Sequence, residues 1–179
     1  MTKANTIRSM LAEGRSPLSR GRAADVAALI FAQPRKAAQL TQCLWDEDPG
    51  VVNRAADALE RASFHLPSIL KPWQAPLLGL LAEAQLKKLR WNLALIVSRL
   101  ELTIPESGRA AAILQSWLDD ESSIVKTCAM HGLADLTRQN SSLLPDVLDQ
   151  IRILTRTGTP AVRARGRILL KRMENTSEK

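Results

Sequence analysis

Apolar or small residues recur at every fourth position in four places along this chain: Val51-Ala55-Leu59, Leu89-Leu93-Val97, Val125-Ala129-Leu133 and Val162-Gly166-Leu170. A stripe at i, i+4 and i+8 stays on one face of a helix, so each stretch predicts a helix with one buried side. The four stripes start 38, 36 and 37 residues apart. A polar break stands before each one: Asp46-Glu47-Asp48-Pro49-Gly50, Glu83-Ala84-Gln85, Asp119-Asp120-Glu121-Ser122-Ser123 and Thr157-Gly158-Thr159-Pro160. Asp, Ser, Thr and Pro start helices because they cap or spare the unpaired N–H groups of the first turn. Ahead of the breaks lie further apolar stretches, which predict first helices over residues 34–45, 72–83, 106–118 and 143–156. Pro67, Pro72, Pro105 and Asn140-Ser141-Ser142 punctuate the chain between units.

The unit is therefore helix–turn–helix, over residues 34–66, 67–104, 105–140 and 141–175, with a short tail at 176–179. Residues 1–33 are less regular. Leu18-Arg22-Val26 and Ala23-Ala27 predict one helix over 17–30, a degenerate N-terminal cap. A single helix pair cannot bury its own apolar stripe, so neighbours must stack. The expected architecture is one all-α domain, a right-handed α-solenoid of four pairs behind that cap.

The second helices resemble those of HEAT-like repeats, the armadillo-type superhelix class, which open Asp-x-x-x-Val-Arg-x-x-Ala-x-x-x-Leu. Thr159-Pro160-Ala161-Val162-Arg163 with Gly166 and Leu170 follows most of that pattern, as does Ser123-Ile124-Val125-Lys126 with Ala129 and Leu133. Asp48-Pro49-Gly50-Val51 follows it with Val52 at the basic position, and Leu89-Arg90 follows it with Leu93 at the small one. The resemblance covers residues 34–173 and implies a scaffold that presents the concave face of its second helices to a partner. Its basic column is Val52, Arg90, Lys126 and Arg163. In the family this column often pairs with an acidic loop residue, a role for which Asp120 is placed before Lys126.

Composition agrees with helix. Leu and Ala supply 52 of 179 residues, while Tyr is absent and Phe appears twice. That excludes a β-sandwich and an aromatic RNA-binding platform. Two distant cysteines, Cys43 and Cys128, read as buried thiols rather than a disulfide or zinc framework. With no signal peptide and no long apolar run, the expected location is the cytoplasm.

The net charge of +7 is unevenly spread: +5 over residues 1–36, −4 over 37–151 and +6 over 152–179. A duplex-binding groove would not turn acidic through its middle. The sharpest basic feature is Arg163, Arg167 and Lys171, which fall on one helix face. This face either solvates the open end of the stack or docks an anionic surface. Lys87, Arg90 and Trp91 make a second basic-aromatic cluster. The candidate partner-binding residues are thus Lys87, Arg90, Trp91, Lys126, Arg163, Arg167 and Lys171. Trp45 and Trp117 read as core, and His65 and His131 as structural histidines without a Cys or carboxylate at ligand spacing.

The chain offers no catalytic residues, metal site or cofactor motif. It lacks the His-Glu dipeptides of the iron-binding deoxyhypusine hydroxylase type. Asp57 and Asp135 lie inside second helices without the tryptophan setting of the alkylpurine glycosylase type. The expected function is non-catalytic binding of a protein partner. The alternative is nucleic-acid binding through the basic termini, including a divergent glycosylase-like repair protein.

Overall fold

The computed structural model describes residues 6–177. It is all-helical: 80% helix and ten α-helices packed on one another, with no strand among the described residues. In chain order these are α1 (Ile7–Ala12), α2 (Ala23–Ala32), α3 (Ala37–Gln42), α4 (Pro49–His65) and α5 (Gln74–Glu83), followed by α6 (Lys87–Val97), α7 (Ile104–Ser116), α8 (Ser123–Leu136), α9 (Leu144–Thr157) and α10 (Pro160–Ser177). The four stripes fall in α4, α6, α8 and α10. Their residues are buried apart from Leu170, which is half-buried. Short 3-10 turns flank several first helices, at Pro34–Lys36, Cys43–Trp45, Pro67–Trp73, Trp117–Asp119 and Ser141–Leu143.

The helix starts follow local chemistry. The Asp48 carboxylate accepts from the Gly50 N–H, with Pro49 opening α4, and Ser122 caps α8 by accepting from the Val125 N–H. Thr103 and Glu106 close a reciprocal capping box at α7.

The even-numbered helices pack in series: α2 on α4, α4 on α6, α6 on α8 and α8 on α10. Most odd-numbered helices pack behind their partners, with α1 touching α3 and α5 touching α7. One buried apolar cluster runs through all of this, from Ile7 to Met173. The α6–α8 approach is close enough to require glycine, since a Cβ on Gly132 would stand 2.4 Å from the Ala94 carbonyl oxygen.

Three expectations fail. The predicted helix over 17–30 begins only at Ala23. Residues 13–22 form a connection between α1 and α2, and Leu18, expected on the apolar face, is 70% exposed. Gly21 adopts φ +46°, outside any right-handed helix, and a Cβ there would collide with the Glu13 carbonyl oxygen. Trp45, expected in the core, is 47% exposed: it ends the Cys43–Trp45 3-10 turn, where Leu44 takes the inward position. It stacks on Trp73 with centroids 6.2 Å apart. Trp117 is buried as expected. Cys43 and Cys128 are free thiols, but only Cys43 is fully buried. Residues 1–5 of the expected cap and 178–179 of the expected tail lie outside the described residues.

Candidate functional site

The basic column divides by environment. Val52 is simply core. Arg90 is a structural joint: its guanidinium meets Asp120 at 2.5 Å, donates to the Ala84 carbonyl at 3.0 Å and lies 5.8 Å from the Trp117 ring centroid. Asp120 also accepts from the Ser122 N–H at 2.7 Å. A similar arrangement occurs two stripes earlier, where Arg8 forks onto Asp46 at 2.7 and 3.1 Å and Asp46 accepts from the Asp48 N–H. Those contacts hold the Asp46 carboxyl below the usual carboxylate range. The acid in these two turns thus reaches back to an arginine of the preceding pair. Lys126, the partner expected for Asp120, has no ion pair among the described residues.

The other candidates do not converge. Lys87 lies 3.8 Å from Glu121, both well exposed. Trp91 is half-buried against the edge of the core, and Lys126 is half-buried on α8. Arg163, Arg167 and Lys171 are exposed on α10.

A second set of side chains is brought together on the even-numbered helices. Phe31 of α2 meets His65 of α4 edge-on, and His65 meets Phe64. These rings, with Ala24, Ala28 and Arg61, line an open groove of about 410 Å³. Arg99 of α6 sits 5.3 Å from the Phe64 ring centroid and binds Glu60 of α4 at 2.6 Å. Asp57 pairs with Arg61 at 2.9 Å. On α8, His131 has a carboxylate one turn away after all: Asp135 lies 3.5 Å from its Nε2. Arg172 of α10 binds Asp135 at 2.9 Å and stands 3.3 Å from the same histidine nitrogen. Burial pushes the His131 pKa down; Asp135 opposes that, and the charges of Arg172, Arg165 and Arg99 reinforce it.

The sequence carried a signal for this set. Arg61, Arg99, Asp135 and Arg172 are spaced 38, 36 and 37 residues apart, the same offsets as the stripes. They lie ten residues beyond each stripe start, off the apolar face, and are recognisable only if charged positions are tested for the repeat as apolar ones are.

Little here suits covalent or metal chemistry. No group of three His, Cys, Asp or Glu side chains is placed to hold a metal among the described residues. Cys128 lies one turn before His131, but burial pushes its thiol up to about 11, so it is protonated and unreactive near neutral pH. Asp57 and Asp135 are each neutralised by cations. Among the described residues, no helix is long and apolar enough to cross a membrane. Comparison with protein-family models finds no match, and comparison with the curated proteins finds none either.

Proposed function

We propose that this chain is a non-catalytic HEAT-like repeat protein: a right-handed α-solenoid of four helix pairs behind a shorter N-terminal pair, which binds a cytoplasmic protein partner through its second-helix face. The observation that carries this reading is the continuity of that face. Contacts run from Phe31 on α2 through His65 and Phe64 on α4 to Arg99 on α6, and resume with His131, Asp135 and Arg172 across α8 and α10. Exposed aromatic rings beside arginines are the residue types that anchor protein interfaces. Phe64 is the strongest candidate anchor, at 65% exposed. The basic face of α10 supports the second reading, nucleic-acid binding.

Two variants separate the readings. Phe64→Glu alters an exposed ring and leaves the core intact. A triple Arg163→Glu, Arg167→Glu, Lys171→Glu variant reverses the α10 face. Cross-linked capture from the native cytoplasm should yield a partner that is lost with Phe64→Glu and kept with the triple variant. The opposite pattern, together with salt-sensitive DNA or RNA binding, establishes the nucleic-acid reading instead.

A further inference from the structure

The connection between α1 and α2 lies over a cluster of buried charge that the partner reading does not use. Asn53, Arg54 and Asp57 of α4 and Lys88 and Asn92 of α6 are all buried. The chain turns at Ser16–Ser19, where Ser19 donates to the Ser16 carbonyl. This turn is held almost wholly through main-chain carbonyls. Arg54 donates to the Leu11 carbonyl and, at 3.0 Å, to that of Ser16. Asn53 donates to the Pro17 carbonyl at 3.4 Å, and Lys88 to the Leu18 carbonyl at 3.5 Å. Residues 13–18 all keep their side chains exposed.

The charges beneath the turn do not balance. Lys88 is 5% exposed, and its ammonium has one carboxylate within reach, that of Asp57 at 4.0 Å. Asp57 is shared with Arg61, which it meets at 2.9 Å. Arg20, Arg54 and Arg61 all lie close enough to Lys88 to oppose its charge. Lys88 and Arg61 therefore share a single carboxylate, and Arg20 and Arg54 add like charge beside Lys88. The two most buried, Lys88 and Arg54, are otherwise satisfied by neutral carbonyls. A desolvated cation gains far more from an oxyanion than from an amide carbonyl.

We propose that Lys88, Arg54, Arg61 and Arg20 form a binding site for a phosphate group, and that the Ser16–Ser19 turn is a plug which the phosphate displaces. The incoming oxygens take over the donors of Lys88 and Arg54 that now bond the Leu18 and Ser16 carbonyls. The turn has no buried side chain to anchor it, so it swings outward on the hinge that Gly14 and Gly21 provide. The proposal shares Arg61 with the groove of the partner reading but uses neither Phe64 nor Arg172, so Phe64→Glu separates the two.

Thermal melting of the whole protein tests it, with inorganic phosphate and O-phosphoserine each added against sodium chloride of matched ionic strength. At about ten times the dissociation constant the midpoint should rise by roughly 3–6 °C. Trypsin should then cut faster after Arg15 and Arg20, because the turn has left the face. Lys88→Met should abolish the rise. Arg20→Gln, at an exposed position, should reduce it. The stronger of the two additives identifies the source as the free ion or a phosphate monoester. The proposal is overturned by equal midpoints in phosphate and chloride, by a rise that survives Lys88→Met and Arg20→Gln, or by a rise without faster cleavage.

Discussion

The two ends of this molecule use basic residues in opposite ways. Near the N-terminus, Arg54 and Lys88 are buried beneath the Ser16–Ser19 turn, where both donate to main-chain carbonyls and Lys88 shares Asp57 with Arg61. On α10, Arg163, Arg167 and Lys171 stand in solvent. In sequence α10 is the conspicuous stretch, with five cations in residues 163–172, three of them at even spacing. In energy the first group matters far more. A charge in water costs little to keep and contributes little to stability, whereas a buried one must be compensated. Residue type and spacing announce where charge is concentrated; burial decides where removing it has consequences.

The severest test of that contrast is Asp57→Ala. It deletes the one carboxylate near Lys88 and leaves a buried ammonium without a counter-charge, so unfolding free energy should fall by about 3 kcal/mol. Urea denaturation should show the midpoint falling with its slope unchanged. Lys88→Met removes the charge and keeps the volume, so its cost alone should be under about 1 kcal/mol, and the double variant should recover most of the Asp57→Ala loss. If Asp57→Ala proves as mild as Lys88→Met, the cluster is solvated and the contrast fails. Arg54→Met comes next. It removes a charged donor to two carbonyls and should cost about 2 kcal/mol, with faster tryptic cleavage after Arg15 and Arg20.

What was legible in the sequence follows the same division. The apolar stripes were, because Val51, Leu93, Val125 and Val162 obey a period that only a helix satisfies. The turn over α4 was not. Leu18, Arg22 and Val26 mimic a helical repeat, and only the left-handed φ of Gly21 reveals the break. The reach of Asp120 back to Arg90 rather than forward to Lys126 depends on how consecutive pairs stack, which spacing alone does not encode. Asp57 and Lys88 are 31 positions apart and share no motif, so their pairing emerges only from the packing of α4 on α6. The Arg61, Arg99, Asp135 and Arg172 column is present as a period, but its members are polar and leave no trace in the hydrophobic pattern.

A smaller effect is expected at His131, between the two extremes. Burial and the neighbouring arginines lower its folded-state pKa, so the unfolded chain binds a proton more readily than the folded one. Stability is therefore fully present above the unfolded value, near 6.5, and declines as pH falls through it towards the lower folded value. Denaturation at pH 7.5 and pH 5.5 should show a drop in the wild type that His131→Gln diminishes. An equal drop in both proteins would mean that the Arg172–Asp135 contact does not enclose the imidazole. Asp46 does not interfere, because its lowered pKa places its own loss of stability at far more acid pH.

The smallest effect belongs to the feature most prominent in the sequence. Replacing Arg163, Arg167 and Lys171 together by Gln removes three positive charges from an exposed helix face. Each side chain is solvated, and glutamine is nearly as good a helix former as arginine or lysine. The change in unfolding free energy should stay within about 0.5 kcal/mol. The same triple change must also leave the phosphate-induced rise in melting temperature intact, since that response is assigned to Lys88 and its neighbours. A variant that melts like the wild type but no longer responds to phosphate would move the anion site to α10. A variant that loses more than about 2 kcal/mol would show that the α10 face is held by contacts within the fold, and the distinction between buried and solvated charge would no longer separate the two ends.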